Sequence, residues 1–254
     1  MRAKDWLPLL TEIADRGDRI ALDYFGRPDL DVTSKGADGP VTAADREIEQ
    51  LARAIAMQRA PELGFLGEET GAQSAEGDTR LIVDPIDGTA NFARGIPVFA
   101  TLLAIEADRE VVASLVSAPA FARRWHAVKG EGAWSSGRRL QVSGIARIPD
   151  AQIFHSGLGD RGDPQVMTRI AVLAQRAQRS RGFGDFWQHV LVAEGAGEAA
   201  IDPAVSAWDV AALKLLVEEA GGRATTLGGE INHYGGSLVT SNGLIHEEVL
   251  RALG

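Results

Sequence analysis

The chain has no cysteine among its 254 residues, so it carries no disulfide framework, no thiolate metal site and no thiol nucleophile. That absence fits a reducing compartment, and a cytoplasmic location is expected. Positive charge is scarce: 26 Lys and Arg against 35 Asp and Glu leave a net charge of −9. A duplex-DNA binder needs a basic footprint to neutralise phosphates, so nucleic acid is excluded as a partner. No run of about 18 consecutive apolar residues occurs, and no membrane span is expected. The opening residues, Met1 to Trp6, lead into Leu7–Leu10 and then acids, too short and too charged a stretch for a signal peptide. Internal repeats and low-complexity segments are also missing. The five histidines (His126, His155, His189, His233 and His246) form no HExxH or histidine-rich pattern, which argues against zinc.

What is present is an ordinary globular composition, 45% hydrophobic and 24% charged. The length suggests one large domain or two tightly joined halves. Trp6, Leu9, Leu10, Ile13, Ile20 and Phe25 recur at helical spacing, with Gly26-Arg-Pro28 as the stop. Lys35 to Pro40 reads as a loop. Thr42 then caps a helix running to about Arg59, with Ile48, Leu51 and Ile55 on its buried stripe. Leu63–Leu66, Leu81–Val83, Ala100–Ile105 and Val111–Val116 are short apolar runs bounded by turn residues, and read as strands of a largely antiparallel sheet. Further on, Ile153 lies in a short strand, and helices are expected over Val166–Ala177, Trp187–Gly195 and Trp208–Ala220. The fold class is layered α+β with an α/β second half. A boundary near Gly137–Gly144 divides residues 1–138 from 139–254.

Several acids stand where charge decoration does not explain them. Glu68-Glu69 follows the Leu63–Leu66 run, and Asp84-Pro-Ile-Asp87-Gly-Thr89 follows Leu81–Val83. Asp209 and Asp45 each lie in the first turn of an expected helix. Asp84 is expected at the carboxyl end of a strand that Pro85 terminates, with a turn bringing Asp87 back to the same point. Two carboxylates with the Ile86 carbonyl between them make an oxygen-rich site suited to Mg²⁺. If a helix or nest starts at Gly88 and Thr89, their amides form an anion site beside it. A cation site next to a phosphate cradle is the minimum for phosphate-ester chemistry. Each acid also has a structural reading. Asp45 completes a capping box with Thr42, Asp209 complements a helix dipole, and Asp84 and Asp87 form turns.

Gly67-Glu-Glu69, Asp84-Pro-Ile-Asp-Gly-Thr-Ala-Asn-Phe92, Trp208-Asp-Val-Ala-Ala212 and Glu219-Ala-Gly-Gly222 together resemble the inositol monophosphatase family, and Pro40-Val-Thr-Ala-Ala-Asp45 matches its preceding helix start. The resemblance covers nearly the whole chain in order. It implies an αβαβα layered sandwich acting as one compact unit, the first half carrying most metal ligands and the second completing the site. It also implies Mg²⁺-dependent hydrolysis of phosphate monoesters, two or three ions per site, and a homodimer. By the same resemblance Glu68, Asp84, the Ile86 carbonyl, Asp87 and Asp209 hold metal. Asp45 and Thr89 are catalytic with Glu68, the amides of Gly88 and Thr89 hold phosphate, and Lys35 belongs to a loop over the site.

Within the family, Arg94, Ser117-Ala-Pro-Ala-Phe-Ala-Arg-Arg-Trp125 and Arg181-Gly-Phe-Gly-Asp-Phe-Trp187 resemble the histidinol-phosphate phosphatase branch of histidine biosynthesis. An ammonium and a titratable imidazole suit an anionic pocket wall. Asp185 is therefore the first candidate for substrate recognition, followed by Asp202 and Asn91. A salt bridge to Arg181 is the structural alternative for Asp185. Asp202 stands where the branch more often has Glu, which reaches further. An inositol-1-phosphate or broad sugar-phosphate monophosphatase is the alternative function, and a non-catalytic metal-dependent binding protein the alternative from another class. The GxGxxG spelled at 157–162 is set aside, because its third glycine precedes the helix rather than lying within it.

Overall fold

Leu9, Leu10, Ile13, Ala14 and Ala21 share the buried face of the first helix, α1 (Leu7–Tyr24), which ends ahead of left-handed Gly26 as its stop signal requires. In this computed structural model residues 2–34, 36, 40–73, 78–157 and 163–254 are described; Lys35 and most of the 157–162 glycine motif lie outside them. A small antiparallel pair, β1 (Val32–Ser34) and β2 (Pro40–Thr42), delivers the chain to α2 (Ala43–Arg59). Then come β3 (Gly64–Gly67), β4 (Gly71–Gln73), β5 (Thr79–Asp87), a single helical turn α3 (Thr89–Phe92), β6 (Ala100–Ala107), β7 (Glu110–Ala118), β8 (Arg123–Val128), β9 (Gly132–Ser135) and β10 (Arg138–Arg139). These strands form one sheet in the order β10-β9-β8-β7-β6-β5-β3-β4, in which only the β3–β5 pair is parallel.

The later chain supplies β11 (Gln152–His155), α4 (Pro164–Arg176), β12 (Arg179–Gly182), α5 (Asp185–Ala193), β13 (Ala199–Ser206), α6 (Ala207–Glu219), β14 (Arg223–Thr225), β15 (Gly235–Ser241) and α7 (His246–Leu253). Its five strands order as β12-β11-β13-β15-β14, parallel around β11 and antiparallel around β15.

Strand alternation sorts the core into layers. Leu81, Val83, Leu103, Ile105, Ala113 and Leu115 point from the eight-stranded sheet onto α1 and α2. Ile82, Leu102, Ala104, Val116, Trp125 and Ala127 point the other way, onto α5 and α6. From the five-stranded sheet, Ala200, Ala224 and Leu238 meet that same helical layer. Ile153, Ala199, Ile201 and Val239 face α4 and α7 on the outer side. The result is the αβαβα sandwich. Its central helix α6 is apolar nearly all round, with seven buried residues from Val210 to Val217, because a sheet covers it on both sides.

Two expectations need correction. Pro85 does not end its strand: β5 continues through it to Asp87, and no turn intervenes. Pro85 is accommodated because the ladder slips there, with Asp84 opposite Leu102 but Asp87 opposite Ala100. The sheet also extends beyond the expected strands, through β8 to β10.

Candidate active site

The slip in β5 decides where the acids point. Residues three apart on a regular strand face opposite sides of the sheet. Here Pro85 and Ile86 together oppose the single residue Thr101, one residue too many, which makes a β-bulge. The extra residue restores Asp84 and Asp87 to one face, while Ile86 joins Ile48, Phe92 and Phe99 in a separate apolar cluster. The Thr101 hydroxyl donates to the Pro85 carbonyl at 2.8 Å and pins the bulge.

Asp209 arrives from the other side, on the first turn of α6. Ser206 caps that helix, and its backbone N–H donates to Asp209 Oδ2 at 2.7 Å in a capping box. The structural reading of Asp209 is thus correct and incomplete. Asp84, Asp87 and Asp209 each offer an oxygen, and these oxygens lie within 4.8 Å of one another. Glu68 lines the same cavity, of about 950 Å³, together with the Ile86–Thr89 segment.

Bringing like charges this close is unfavourable, roughly 3–4 kcal/mol per pair at an effective dielectric of about 20. Burial pushes the Asp84 carboxyl well above its ordinary range, and the charges of Glu68, Asp87 and Asp209 push it further. Asp87 is raised in the same way by burial and then by Asp185 and Asp209, against which the Phe186 amide donates to its Oδ2 at 2.6 Å. Asp84 Oδ1 is buried with no hydrogen-bond partner among the described residues. A hard divalent cation answers all of these at once, since it takes oxygen ligands and supplies the missing positive charge. The donor set therefore fits such an ion.

Asp45 works in two directions. Its Oδ2 accepts the Thr42 N–H at 2.8 Å and the Thr42 hydroxyl at 2.5 Å, closing the capping box of α2. Its Oδ1 lies 3.1 Å from Thr89 Oγ1, whose hydroxyl is also 2.8 Å from the Ile86 carbonyl. Burial raises the Asp45 carboxyl, and the hydrogen bonds from Thr42 and Thr89 oppose the rise. Gly88, with φ of 85°, caps the turn that starts at Thr89. A Cβ there would meet the Val98 carbonyl at 2.8 Å and Asp185 Oδ2 at 3.3 Å, so only glycine lets the turn approach.

Asp185 opens α5 in a left-handed conformation, φ 49°, directly after Gly184 at φ 68°. Asn91 holds it, donating from Nδ2 to Asp185 Oδ2 at 2.8 Å and to the Val98 carbonyl at 3.1 Å. Arg181 donates to the Ser180 carbonyl at 2.7 Å. Asp202, on β13, accepts from Gln188 at 2.6 Å and from His189 at 2.8 Å. Asn91, Asp185 and Asp202 all line the cavity, whereas Arg94 is exposed beyond it.

Sequence reasoning missed three buried polar residues. Glu49, fully buried on α2, accepts the Glu69 and Thr70 amides at 2.7 and 2.9 Å and the Thr70 hydroxyl as well. It thereby fixes the turn that carries Glu68, and a Cβ on Gly67 would fall inside its carboxylate. Its one signal was its position a single helical turn after Asp45. The others, Gln188 and His189, sit in α5 with no sequence pattern to mark them.

Five layers, with Asp84 and Asp87 buried at a strand bulge and Asp209 half-buried beside them, make the frame of a phosphatase. The chain belongs to the inositol monophosphatase family, whose model matches residues 4–254. It is 43% identical over 254 residues to a histidinol-phosphatase of Mycobacterium tuberculosis, covering 98% of each chain. The crystal structure of the extragenic suppressor protein suhB from Bartonella henselae superposes with a TM-score of 0.92 at 29% identity, over 97% of each chain. An IMPase/NADP phosphatase complexed with Mg²⁺ and phosphate superposes with a TM-score of 0.86 at 25% identity, over 98% of this chain and 95% of that one.

Proposed function

We propose that this phosphatase is Mg²⁺-dependent and converts L-histidinol phosphate and water to L-histidinol and phosphate, in histidine biosynthesis. The observation that carries the reaction is the convergence of Asp84, Asp87 and Asp209 around a buried Asp84 oxygen that has no partner. Support for the substrate is the identity to a histidinol-phosphatase together with two further carboxylates, Asp185 and Asp202, on the cavity wall. Glu68, Asp84, the Ile86 carbonyl, Asp87 and Asp209 would hold two or three Mg²⁺ ions, the ion seen with the 25%-identical phosphatase. Bound there, Mg²⁺ supplies Lewis acidity toward the attacking water and the ester oxygens.

The chain's own groups do the rest. Thr89 Oγ1 receives the hydrogen bond of the attacking water and passes the proton toward Asp45 Oδ1, whose raised pKa makes it the better base. Glu68 orients the water from the opposite side. The Gly88 and Thr89 amides stand at the start of a helical turn, where N–H groups have no intrahelical acceptor, and would hold the phosphate oxygens. As the P–O ester bond breaks, the departing alkoxide takes its proton from solvent. Asp185, with Asn91 behind it, and Asp202 meet the ammonium and imidazole. Residues 1–138 supply most of the metal ligands and 139–254 complete the site, in a cytoplasmic homodimer.

Phosphate release from histidinol phosphate and inositol 1-phosphate, measured side by side with Mg²⁺, tests the substrate. A clear preference for the inositol ester would overturn the histidinol assignment and leave the hydrolytic chemistry standing. Turnover surviving both Asp84→Ala and Asp87→Ala would overturn the metal chemistry, and a wild-type chain that releases phosphate from neither ester would favour a binding protein.

A further inference from the structure

The helical layer between the two sheets packs mainly apolar side chains. Within α5, where Phe186, Val190, Val192 and Ala193 are wholly buried, Gln188 and His189 are buried as completely. Polar side chains there cost stability unless every donor and acceptor is matched, and among the described residues one is not: the Gln188 side-chain carbonyl oxygen has no hydrogen-bond partner. Apolar residues would serve the packing better, so their presence calls for another reason.

Both residues converge on one atom. Gln188 Nε2 and His189 Nε2 lie 2.6 and 2.8 Å from Asp202 Oδ2. The carboxylate must accept, so His189 carries its proton on Nε2, and its Nδ1 accepts from the Thr240 hydroxyl at 2.8 Å on the neighbouring strand. Thr240 and Asp202 share one face of the five-stranded sheet, since their partners Ala200 and Leu238 are two residues removed from them. Immediately beyond Asp202 the register shifts, and Pro203 and Ala204 leave the ladder and line the cavity. Asp202 Oδ2 is thus doubly occupied. Among the described residues no Lys or Arg pairs with this carboxylate, and two donors fix its direction.

We propose that Gln188 and His189 are positioning residues for substrate choice. Anchored by Thr240, they hold Asp202 so that its other oxygen reads hydrogen-bond donors on the organic half of the ester. An aspartate reaches less far than a glutamate, and a carboxylate fixed from behind keeps its aim where a longer side chain could search. This rests on the reading that the organic half of the substrate meets Asp202, and it adds how the selecting group is set.

The test is a double-mutant cycle on the Mg²⁺-loaded enzyme, with kcat and KM measured on histidinol phosphate and on p-nitrophenyl phosphate. His189→Leu should raise KM for histidinol phosphate about tenfold more than for p-nitrophenyl phosphate, with kcat within about twofold. His189→Gln, which returns an N–H near the Nε2 position, should restore most of the loss. In an Asp202→Asn background, His189→Leu should add nothing further. Equal KM changes on both esters, or full additivity with Asp202→Asn, would overturn the proposal. Gln188→Leu, which removes the second donor, carries the same comparison if His189→Leu lowers the melting temperature too far to assay. If the wild-type enzyme prefers inositol 1-phosphate, the histidinol assignment falls, and the cycle run on that ester still decides this inference by the presence or absence of coupling.

Discussion

Two groups of aspartates face the same cavity, and the fold has prepared them in opposite ways. Asp84, Asp87 and Asp209 are crowded together, and one Asp84 oxygen is left without a donor. Asp185 and Asp202 are served by neutral amides and a histidine ring: Asn91 for the first, Gln188 and His189 for the second. The first arrangement is incomplete until a cation arrives. The second is held in place by hydrogen bonds and still faces the cavity. On the proposed reading, identical chemistry at the residue level serves a metal in one place and substrate recognition in the other, because of what stands behind each carboxylate.

That contrast can be broken first at the metal end. Asp84→Asn should lower kcat by at least about 10³-fold while raising metal-free stability by roughly 1 kcal/mol, because it removes a buried like charge. Steady-state kinetics and thermal melts in EDTA measure the two halves; a loss of stability would mean that the acids are not in conflict. A smaller effect is expected from Glu49→Gln, which loosens the turn carrying Glu68. Calorimetry should register a 10–100-fold weaker Mg²⁺ affinity. On the recognition side of the cavity, Asp185→Asn should raise KM for histidinol phosphate about tenfold, with a smaller loss of Mg²⁺ affinity than Glu49→Gln causes, since Asp185 lies close enough to act on Asp87. A larger loss of Mg²⁺ affinity than that would mean that the two groups are not separate.

The smallest expected effect is on pH dependence. Asp84 and Asp87 have raised pKa values in the fold, so the metal-free protein binds more protons than the unfolded chain. Their contribution to stability is fully present below the ordinary aspartate pKa and is lost as pH rises through the raised values. Lowering the pH from about 8 to about 6 should therefore raise the metal-free melting temperature by a few degrees, and saturating Mg²⁺ should flatten that slope. A metal-free melting temperature that falls over this range would remove the contrast.

Much of this is legible in the sequence alone. Helical spacing located α1, α2, α4, α5 and α6 to within two residues or so, because each buries one periodic face and carries a readable start or stop. Strands β8 and β9 were not read, since arginines, a histidine and glycines interrupt their apolar runs. The acids of the site were named from their motifs. Their supporting residues were not, for the contacts of Glu49 span 20 and 21 residues and the His189–Thr240 contact spans 51. No local pattern encodes such a partner.

The bulge in β5 carries a lesson about counting. An odd spacing between two acids, on a segment that must also be a buried strand, is a contradiction that one inserted residue resolves. The proline between Asp84 and Asp87 marks where the insertion falls. Deleting Ile86 would return the ladder to a regular spacing of two, keeping Asp87 beside Asp84 but removing the carbonyl that lies between them. The distance between letters in this motif is therefore as much a part of the metal site as the letters themselves.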